Sequence, residues 1–322
     1  MTGVLYSAFF QIQKNLIGIF MLTTEILNHV GFEKILIKYQ KALQYLENWK
    51  IKIPKDSRLF NYEQSIKYLA AKGIGENPSH LCDLMFDLIE IDEISDIILN
   101  ENNILSDNEI IIKLTDMVKG LQIKNIDEDP QARSSQFELY VRALLNMSGL
   151  DCYFNPTQPI KTPDLTVKFG DKDFDLEVKR PLSAKNLLRN TFKKACSQLD
   201  AKNPGILILS LDHVLLGGNN VIALEEGDSM EDSLKLLEKE TTKWLDKNKK
   251  SLMQRFKSEE SVCALLLIVK VPVFIGHLDK MMFANHLRQI NLKGFSKDNS
   301  KYVESISKHL DKVWANKNQD LN

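Results

Sequence analysis

The chain has 322 residues, of which 43% are hydrophobic and 26% charged, a composition typical of a globular protein that buries its own core. Its 42 basic and 43 acidic side chains leave a net charge of −1, which excludes a uniformly basic nucleic-acid coat protein but not a local basic groove. The length predicts two domains, or one domain with a large appendage.

The first 128 residues are predicted to form a mostly helical domain that recognises a substrate or partner. Apolar residues recur at helical spacing in Glu33–Trp49, Asn61–Ala71 and Ser106–Leu121. Leu81–Leu99 is apolar with interleaved acids, which predicts a helix or helix pair with a solvated acidic face. The alternative is an acidic surface that mimics nucleic acid and restrains a basic segment. The acids are Asp83, Asp87, Glu90, Asp92, Glu93 and Asp96.

The pattern breaks at Asp127-Glu128-Asp129-Pro130, which predicts a domain boundary. Beyond it, helices are predicted at Ser135–Met147, Ala184–Ala201 and Met230–Phe256. Gly149 is predicted to stop the first of them. Residues 281–322 are predicted as a helical, polar C-terminal extension, so that residues 131–280 form an α/β domain. The predicted strands are Asp151–Phe154, Leu165–Phe169, Phe174–Arg180, Gly205–Leu211 and Val262–Ile275.

Two short motifs lie on adjacent predicted strands. Pro163-Asp164 is the only Pro-Asp pair in the chain, and Glu177-Val178-Lys179 is the only Glu-x-Lys. A two-residue turn at Gly170-Asp171, with glycine supplying a positive φ, places Asp164 opposite Glu177. Side chains alternate between the faces of a strand, so the polar side chains share one face and the apolar ones share the other. The polar face carries Asp164, Thr166, Asp175, Glu177 and Lys179.

This polar face suggests metal chemistry. Two carboxylates within a few ångströms repel each other unless a cation neutralises them. Mg²⁺ is typically held by one or two carboxylates, with water and substrate phosphate completing its shell. Such an ion polarises a phosphodiester and lowers the pKa of a water nucleophile. The ammonium of Lys179 points the same way and is placed to orient that water or to stabilise charge that develops on phosphorus.

The two motifs together resemble the core of the PD-(D/E)xK nucleases, which have the restriction-endonuclease-like fold. The order of a helix, three strands, a helix and a further strand is similar too, over about residues 131–275. The resemblance implies an α/β fold with a mixed sheet flanked by helices. It implies that Asp164 and Glu177 bind Mg²⁺, for which Mn²⁺ substitutes, and that Lys179 assists hydrolysis. The backbone carbonyl of Val178 is implied as a further ligand.

Two weaker positions follow from the same resemblance. Glu138 matches an extra acidic residue that many relatives place near the metal, on the helix before the strands. Ser135-x-x-Glu138 also reads as a helix capping box, and Glu138 is spaced to pair with Arg142. Gln198 resembles an accessory polar residue of some relatives, although a solvated helix glutamine explains it equally well.

A basic stripe runs beside these motifs. Residues 131–200 carry 11 basic and 8 acidic side chains, the most basic part of the chain. On the predicted helix 184–201, Lys185, Arg189 and Lys193 recur every four residues, and Arg180 and Lys194 lie nearby. This stripe is predicted either to hold a phosphate backbone without reading its sequence or to be a solvated helix face.

Other signals narrow the function. The four cysteines, at positions 82, 152, 196 and 263, have no CxxC spacing, and their scatter is typical of a reducing compartment. The early apolar stretch Asn15 to Thr24 is about half the length of a membrane-spanning helix, and Met1–Phe10 lacks the features of a signal peptide. We therefore expect a cytoplasmic protein with no membrane partner.

The sequence thus predicts a Mg²⁺-dependent endonuclease that acts on DNA. By analogy, nucleases of this build often serve in restriction or anti-phage defence. The chain has no P-loop, so a separate helicase or ATPase is a conceivable partner, and a duplex cutter has reason to form a homodimer. The alternatives are an RNA-directed nuclease of the same fold and a catalytically silent protein that binds nucleic acid or a partner.

Overall fold

Five helices follow one another in the N-terminal part of the chain, and strands mixed with helices make up most of the rest. The computed structural model describes residues 21–30, 32–72, 78–100, 107–120, 130–156, 162–181, 191–199, 203–216, 222–224, 230–256, 261–275, 280–291 and 297–319. Its helices are α1 (Phe32–Asn48), α2 (Arg58–Lys72), α3 (Pro78–Asn100), α4 (Asn108–Lys119), α5 (Pro130–Met147), α6 (Phe192–Cys196), α7 (Asp212–Leu216), α8 (Met230–Phe256) and α9 (Lys297–Gln319). Its strands are β1 (Met21–Val30), β2 (Asp151–Phe154), β3 (Leu165–Phe169), β4 (Lys172–Lys179), β5 (Gly205–Ser210), β6 (Ile222–Leu224), β7 (Val262–Ile275) and β8 (Lys280–Asn291).

These strands form one mixed sheet in the order β1-β8-β7-β5-β4-β3-β2, with β6 paired to β7. The pairs β4–β5, β5–β7 and β6–β7 are parallel, and the others are antiparallel. The centre of the sheet is therefore parallel and apolar, as expected for strands covered by helices on both faces. The mixed α/β class predicted from the sequence is confirmed.

Alternation along the central strands divides the interior into two cores. Ile206 and Ile208 of β5 face the core that contains α1 to α5 and α9, whereas Leu207 and Leu209 face the core that contains α6 and α8. The sheet thus forms the middle layer between two helical layers. The N-terminal helices and the motif strands β3 and β4 contribute to the same hydrophobic core.

Four acidic residues of α3 are buried, contrary to the solvated face that the sequence predicts, whereas Asp87 is partly exposed. Glu90, Asp92, Glu93 and Asp96 are each less than a tenth exposed. Burial is tolerated because basic side chains neutralise them. The basic partners are Arg58, Arg133, Arg180, Lys38 and Lys270.

Two strands lie in regions for which helical structure is predicted, β1 in the mostly helical first 128 residues and β8 in the C-terminal extension. Residues 21–30 form β1 and residues 280–291 form β8, which pair with each other. The spacing of Phe283, Leu287 and Ile290 reads as a helical period. Both faces of β8 are buried, however, and polar side chains such as Asn285 and Gln289 occupy interior positions, so the strand lacks alternating hydrophobicity. Among the described residues of the predicted extension, Lys297–Gln319 is the helical segment.

None of the helices in the described ranges combines the length and the apolar character that a membrane crossing requires.

Candidate active site at the open end of a hairpin

The β3–β4 hairpin has the register predicted from its turn. Leu165 pairs with Leu176, and Thr166 pairs with Asp175. Gly170 adopts φ +66°, which an L side chain rarely adopts and which a two-residue turn requires. Asp164 directly precedes β3 and Glu177 lies near the end of β4, so both are at the open end of the hairpin, away from the turn.

The two faces of the hairpin differ as predicted. Leu165, Val167, Phe174 and Leu176 are fully buried in the hydrophobic core. On the other face, Thr166 Oγ1 donates to Asp175 Oδ1 at 3.0 Å, and Asn203 Nδ2 donates to the same oxygen at 3.2 Å. The apolar face anchors the hairpin, and the polar face is left for charged groups.

Asp164, Glu177 and Lys179 converge at this open end. Lys179 Nζ is 2.9 Å from Asp164 Oδ2 and 2.5 Å from Glu177 Oε1. The backbone N–H of Val178 also donates to Asp164 Oδ2, at 2.9 Å. Burial lowers the pKa of Lys179, but the charges of Asp164 and Glu177 outweigh burial and raise it above its usual value. The ammonium is therefore charged at neutral pH.

Glu177 is the most buried member of this group. Its side chain is 0% exposed, and Oε2 has no hydrogen-bond partner within the described part of the chain. Burial, followed by the nearby charge of Asp164, raises its pKa well above the usual value. A buried carboxylate oxygen without a donor is costly, and a cation at that oxygen would relieve the cost.

Glu138 of α5 belongs to the same electrostatic cluster. Burial, and then the charge of Asp164, raises the pKa of Glu138 to about 7. The capping-box alternative for Glu138 is wrong, because α5 begins at Pro130 and Ser135 lies within the helix. Its side chain is only 6% exposed and is held by an ion pair rather than by a helix terminus.

Lys113 is the partner of Glu138 and was not anticipated. Its Nζ lies 2.5 Å from Glu138 Oε2. Burial lowers the pKa of Lys113, but the charges of Glu138 and Asp164 outweigh burial and raise it. Asp107 caps α4 by accepting from the backbone N–H of Glu109 at 2.9 Å, which fixes the start of the helix that carries Lys113. No local sequence signal joins this lysine to the hairpin.

The oxygen atoms grouped at this end of the hairpin are of the kind that binds a hard divalent cation. Three carboxylates lie in this cluster, among them that of Glu177 with its unpaired Oε2, and oxygen is the ligand that Mg²⁺ prefers. An extended residue directs its N–H and C=O to the same side of the strand, so the carbonyl of Val178 faces the side on which its N–H meets Asp164. Within the described ranges, no three His, Cys, Asp or Glu side chains are already grouped as ligands. Lys179 and Lys113 instead provide the compensating charges.

Gln198 lies near the motif. Its Nε2 is 3.4 Å from the carbonyl oxygen of Thr162, two residues before Asp164. Asn155 holds the same segment from the other side, because its Nδ2 donates to the carbonyl of Pro163 at 3.0 Å. Both contacts hold the segment just before Asp164, so Gln198 helps to position Asp164.

The predicted basic stripe is described only in part. Lys185 and Arg189 lie outside the described residues, and Lys193 is placed in α6 without a described side chain. Lys194 is exposed. Arg180, in contrast, is buried: its guanidinium binds Glu93 at 2.8 and 3.0 Å and Asp212 at 3.0 Å. The predicted phosphate contact by Arg180 is replaced by an interior ion pair.

Comparisons with protein-family models, with curated proteins and with solved structures find no match to this chain.

Proposed function

We propose that this protein is a metal-dependent phosphodiesterase that cleaves nucleic acid, with DNA as the substrate to test first. The observation that carries the proposal is the convergence of Asp164, Glu177 and Lys179 at the open end of one hairpin, with Glu138 in the same cluster. Paired acids beside an ammonium are what hydrolysis of a phosphodiester with a divalent cation requires.

The carboxylates would hold the cation. Asp164 and Glu177, with the Val178 carbonyl and Glu138 alongside, would bind Mg²⁺ or Mn²⁺, which polarises the phosphodiester and lowers the pKa of a water nucleophile. The buried, unpaired Oε2 of Glu177 supports this assignment. Metal binding needs the ionised carboxylate, so Glu177 has to give up the proton that burial favours.

Lys179 acts as a cation and not as a base, because its neighbours raise its pKa. It lies between the two acids, with 19% of its side chain exposed, so it is within reach of both the acids and a substrate in solvent. With a cation held by the acids, the ammonium of Lys179 would donate to a phosphate oxygen or to the attacking water. That donation stabilises negative charge as it develops on phosphorus.

The alternatives differ in substrate or in chemistry. An RNA-directed nuclease would use the same residues, because the site contacts phosphate and not the sugar 2′-hydroxyl that separates RNA from DNA. A catalytically silent binding protein would not need two acids and a lysine to be held together at a cost in buried charge. Homodimer formation, a separate ATPase partner and a role in restriction or defence stay predictions.

The test is cleavage of supercoiled plasmid, single-stranded DNA and RNA by the purified full chain, with Mg²⁺, with Mn²⁺ and with EDTA. We expect metal-dependent cleavage that Glu177→Ala and Lys179→Ala each abolish, with circular dichroism showing an intact fold. Lys168→Ala, on the solvent side of the same hairpin, is the matched control and should cleave normally. Cleavage that survives both site substitutions would refute the assignment.

A further inference from the structure

A cleft lies in the N-terminal helical layer, where the segment that follows α1 meets α4. Its volume is about 760 Å³, within the range of small-molecule sites. Residues 49–55 form one wall, and Ile111, Thr115 and Lys119 of α4 form the other. We call it the lysine cleft, because four of its lining residues are lysines: Lys50, Lys52, Lys55 and Lys119.

Four lysines and no acidic residue are among the residues that line the lysine cleft. All four lysines are exposed, and no carboxylate in the described ranges forms an ion pair with any of them. This is unexpected in residues 1–130, which carry 13 basic and 19 acidic side chains. Part of this acidity is interior, because α3 buries four acids against cations, for example Glu90 against Arg58 and Arg133. The cleft is lined by cations in an otherwise acidic part of the chain.

The floor of the cleft is apolar and includes an indole. Ile51 is 9% exposed, and Ile53 and Ile111 are half-buried. Trp49 is half-buried too, and its ring packs at a tilt against the ring of Tyr45, with 5.7 Å between the ring centroids. A flat aromatic surface beside several ammonium groups can stack a planar ring while the lysines bind attached phosphates.

Lys50 has a strained backbone at the mouth of the cleft. Its φ is +60°, in the left-handed region that favours glycine. It ends α1 in a Schellman arrangement, in which the N–H of Ile51 donates to the carbonyl of Leu46 at 3.0 Å and the N–H of Lys50 donates to that of Glu47 at 2.9 Å. Glycine would satisfy this turn with less strain. The chain instead has a cationic side chain here, which points to a use beyond ending the helix.

From these observations we propose that the lysine cleft binds a nucleotide, with its phosphates on the lysines and its base against Trp49. The nucleotide is either a free mononucleotide or one residue of a nucleic-acid strand. The cleft is separate from the hairpin site: Lys113 is two residues from both Ile111 and Thr115, which places it on roughly the opposite side of α4. The inference therefore does not need the hairpin to be catalytic.

The experiment measures tryptophan fluorescence of the full chain in EDTA, so that no cleavage takes place. Trp244 and Trp314 are buried, which leaves Trp49 as the responsive indole among the described tryptophans. The probes are AMP, ATP, a ten-residue oligodeoxythymidylate and inorganic phosphate. We expect saturable quenching by a nucleotide probe, weakened by salt and absent in Trp49→Phe. Binding of AMP or ATP identifies a free nucleotide, and binding of the oligonucleotide alone identifies a strand.

Two variants separate binding from folding. Lys50→Gly should weaken binding at least fivefold while the melting temperature stays equal or rises, because glycine suits the left-handed turn. Lys52→Glu with Lys55→Glu should abolish binding, whereas the charge-matched control Lys239→Glu with Lys250→Glu on α8 should not change it. The proposal is overturned if no nucleotide binds at low salt, if inorganic phosphate binds as tightly as AMP, if Lys50→Gly binds normally, or if the control pair loses binding equally. A normal response of Glu177→Ala would keep this result distinct from the cleavage test.

Discussion

Two clusters of buried charge in this protein are built in opposite ways. The α3 network consists of the buried acids of α3 and the basic side chains that neutralise them. Within it, Glu93 accepts hydrogen bonds from Arg180 at both oxygens and from Gln136 at 2.7 Å. At the hairpin end, Glu177 is as deeply buried, but one of its oxygens has no hydrogen-bond partner in the described part of the chain. In the first cluster, donors of the chain bind both oxygens of the carboxylate. In the second, one carboxylate oxygen is left for a ligand such as a metal ion.

The pKa values sharpen this contrast. Despite burial, the charges of Arg133 and Arg58 hold the pKa of Glu90 far below its usual value. Burial and a neighbouring acid instead raise the pKa values of Glu138 and Glu177. Burial raises the pKa of Glu93 as well, so a raised pKa alone does not mark the functional cluster. The distinguishing feature is a raised pKa together with an oxygen that lacks a donor.

The largest effect is expected from Lys179→Met. Removing the ammonium should lower the cleavage rate by about 10²- to 10³-fold, because its donor stabilises charge in the transition state. The free energy of unfolding should change little. Glu177 can take up a proton, and Asp164 still accepts the hydrogen bond from the backbone N–H of Val178. Single-turnover cleavage and urea denaturation measure the two quantities. A large loss of stability with normal cleavage would place Lys179 in a purely structural role.

The adjacent residue should behave in the opposite way. Arg180→Met leaves Glu93 and Asp212 without the cation between them. We expect the free energy of unfolding to fall by about 3–5 kcal/mol, as for other buried ion pairs that lose one partner. Urea denaturation beside Lys179→Met gives the comparison. Equal stability of the two variants would remove the distinction between the clusters.

We call Asp164, Glu177, Lys179 and Glu138 the hairpin cluster, and we expect a divalent cation to stabilise the protein by binding there. At a hundredfold excess over its dissociation constant, Mn²⁺ should raise the free energy of unfolding by about 2.7 kcal/mol. Asp164→Asn should lose most of this gain, whereas Asp173→Asn, on the same hairpin near its turn, should keep it. Thermal unfolding with and without Mn²⁺ measures the effect, and an equal gain in both variants would place the ion elsewhere.

The smallest effect concerns pH in the absence of metal. The pKa of Glu138 is about 7 in the folded protein, above its ordinary value of 4.5, so the folded state holds this proton more tightly. Its contribution to stability is therefore full below about pH 4.5 and is lost as the pH rises through about 7. We expect a loss on the order of 1–2 kcal/mol, because the ion pair with Lys113 offsets part of the effect of burial on Glu138. Glu138→Gln should flatten urea-unfolding stability over this range; an unchanged slope would contradict the assignment.

The hairpin was predictable from sequence because its signals are local. A glycine turn and alternating side chains fix which residues face each other, and the structure confirms both. The same alternation also places Arg180 on the opposite face from Lys179. Because Arg180 is the residue after Lys179, the alternation predicts that its side chain is buried, as the structure shows. The predicted phosphate contact of Arg180 did not take this alternation into account.

The α3 network and Lys113 were not predictable, because their partners are distant in the chain. Glu93 and Arg180 are 87 residues apart, and Asp92 and Lys270 are 178 apart. A helix rich in acids reads as solvated until the cations that neutralise it are known. Strand β8 was missed for a related reason, because its buried polar residues hide the alternation that marks a strand.

We infer that the hairpin cluster is a cation site for phosphodiester hydrolysis. An anomalous difference map from a crystal of the full chain soaked in Mn²⁺ locates the ion. We expect a peak about 2.0–2.3 Å from oxygens of Asp164 and Glu177, with Lys179 Nζ displaced from between them. A map with no peak there, and with Lys179 still bridging the two carboxylates, would contradict it.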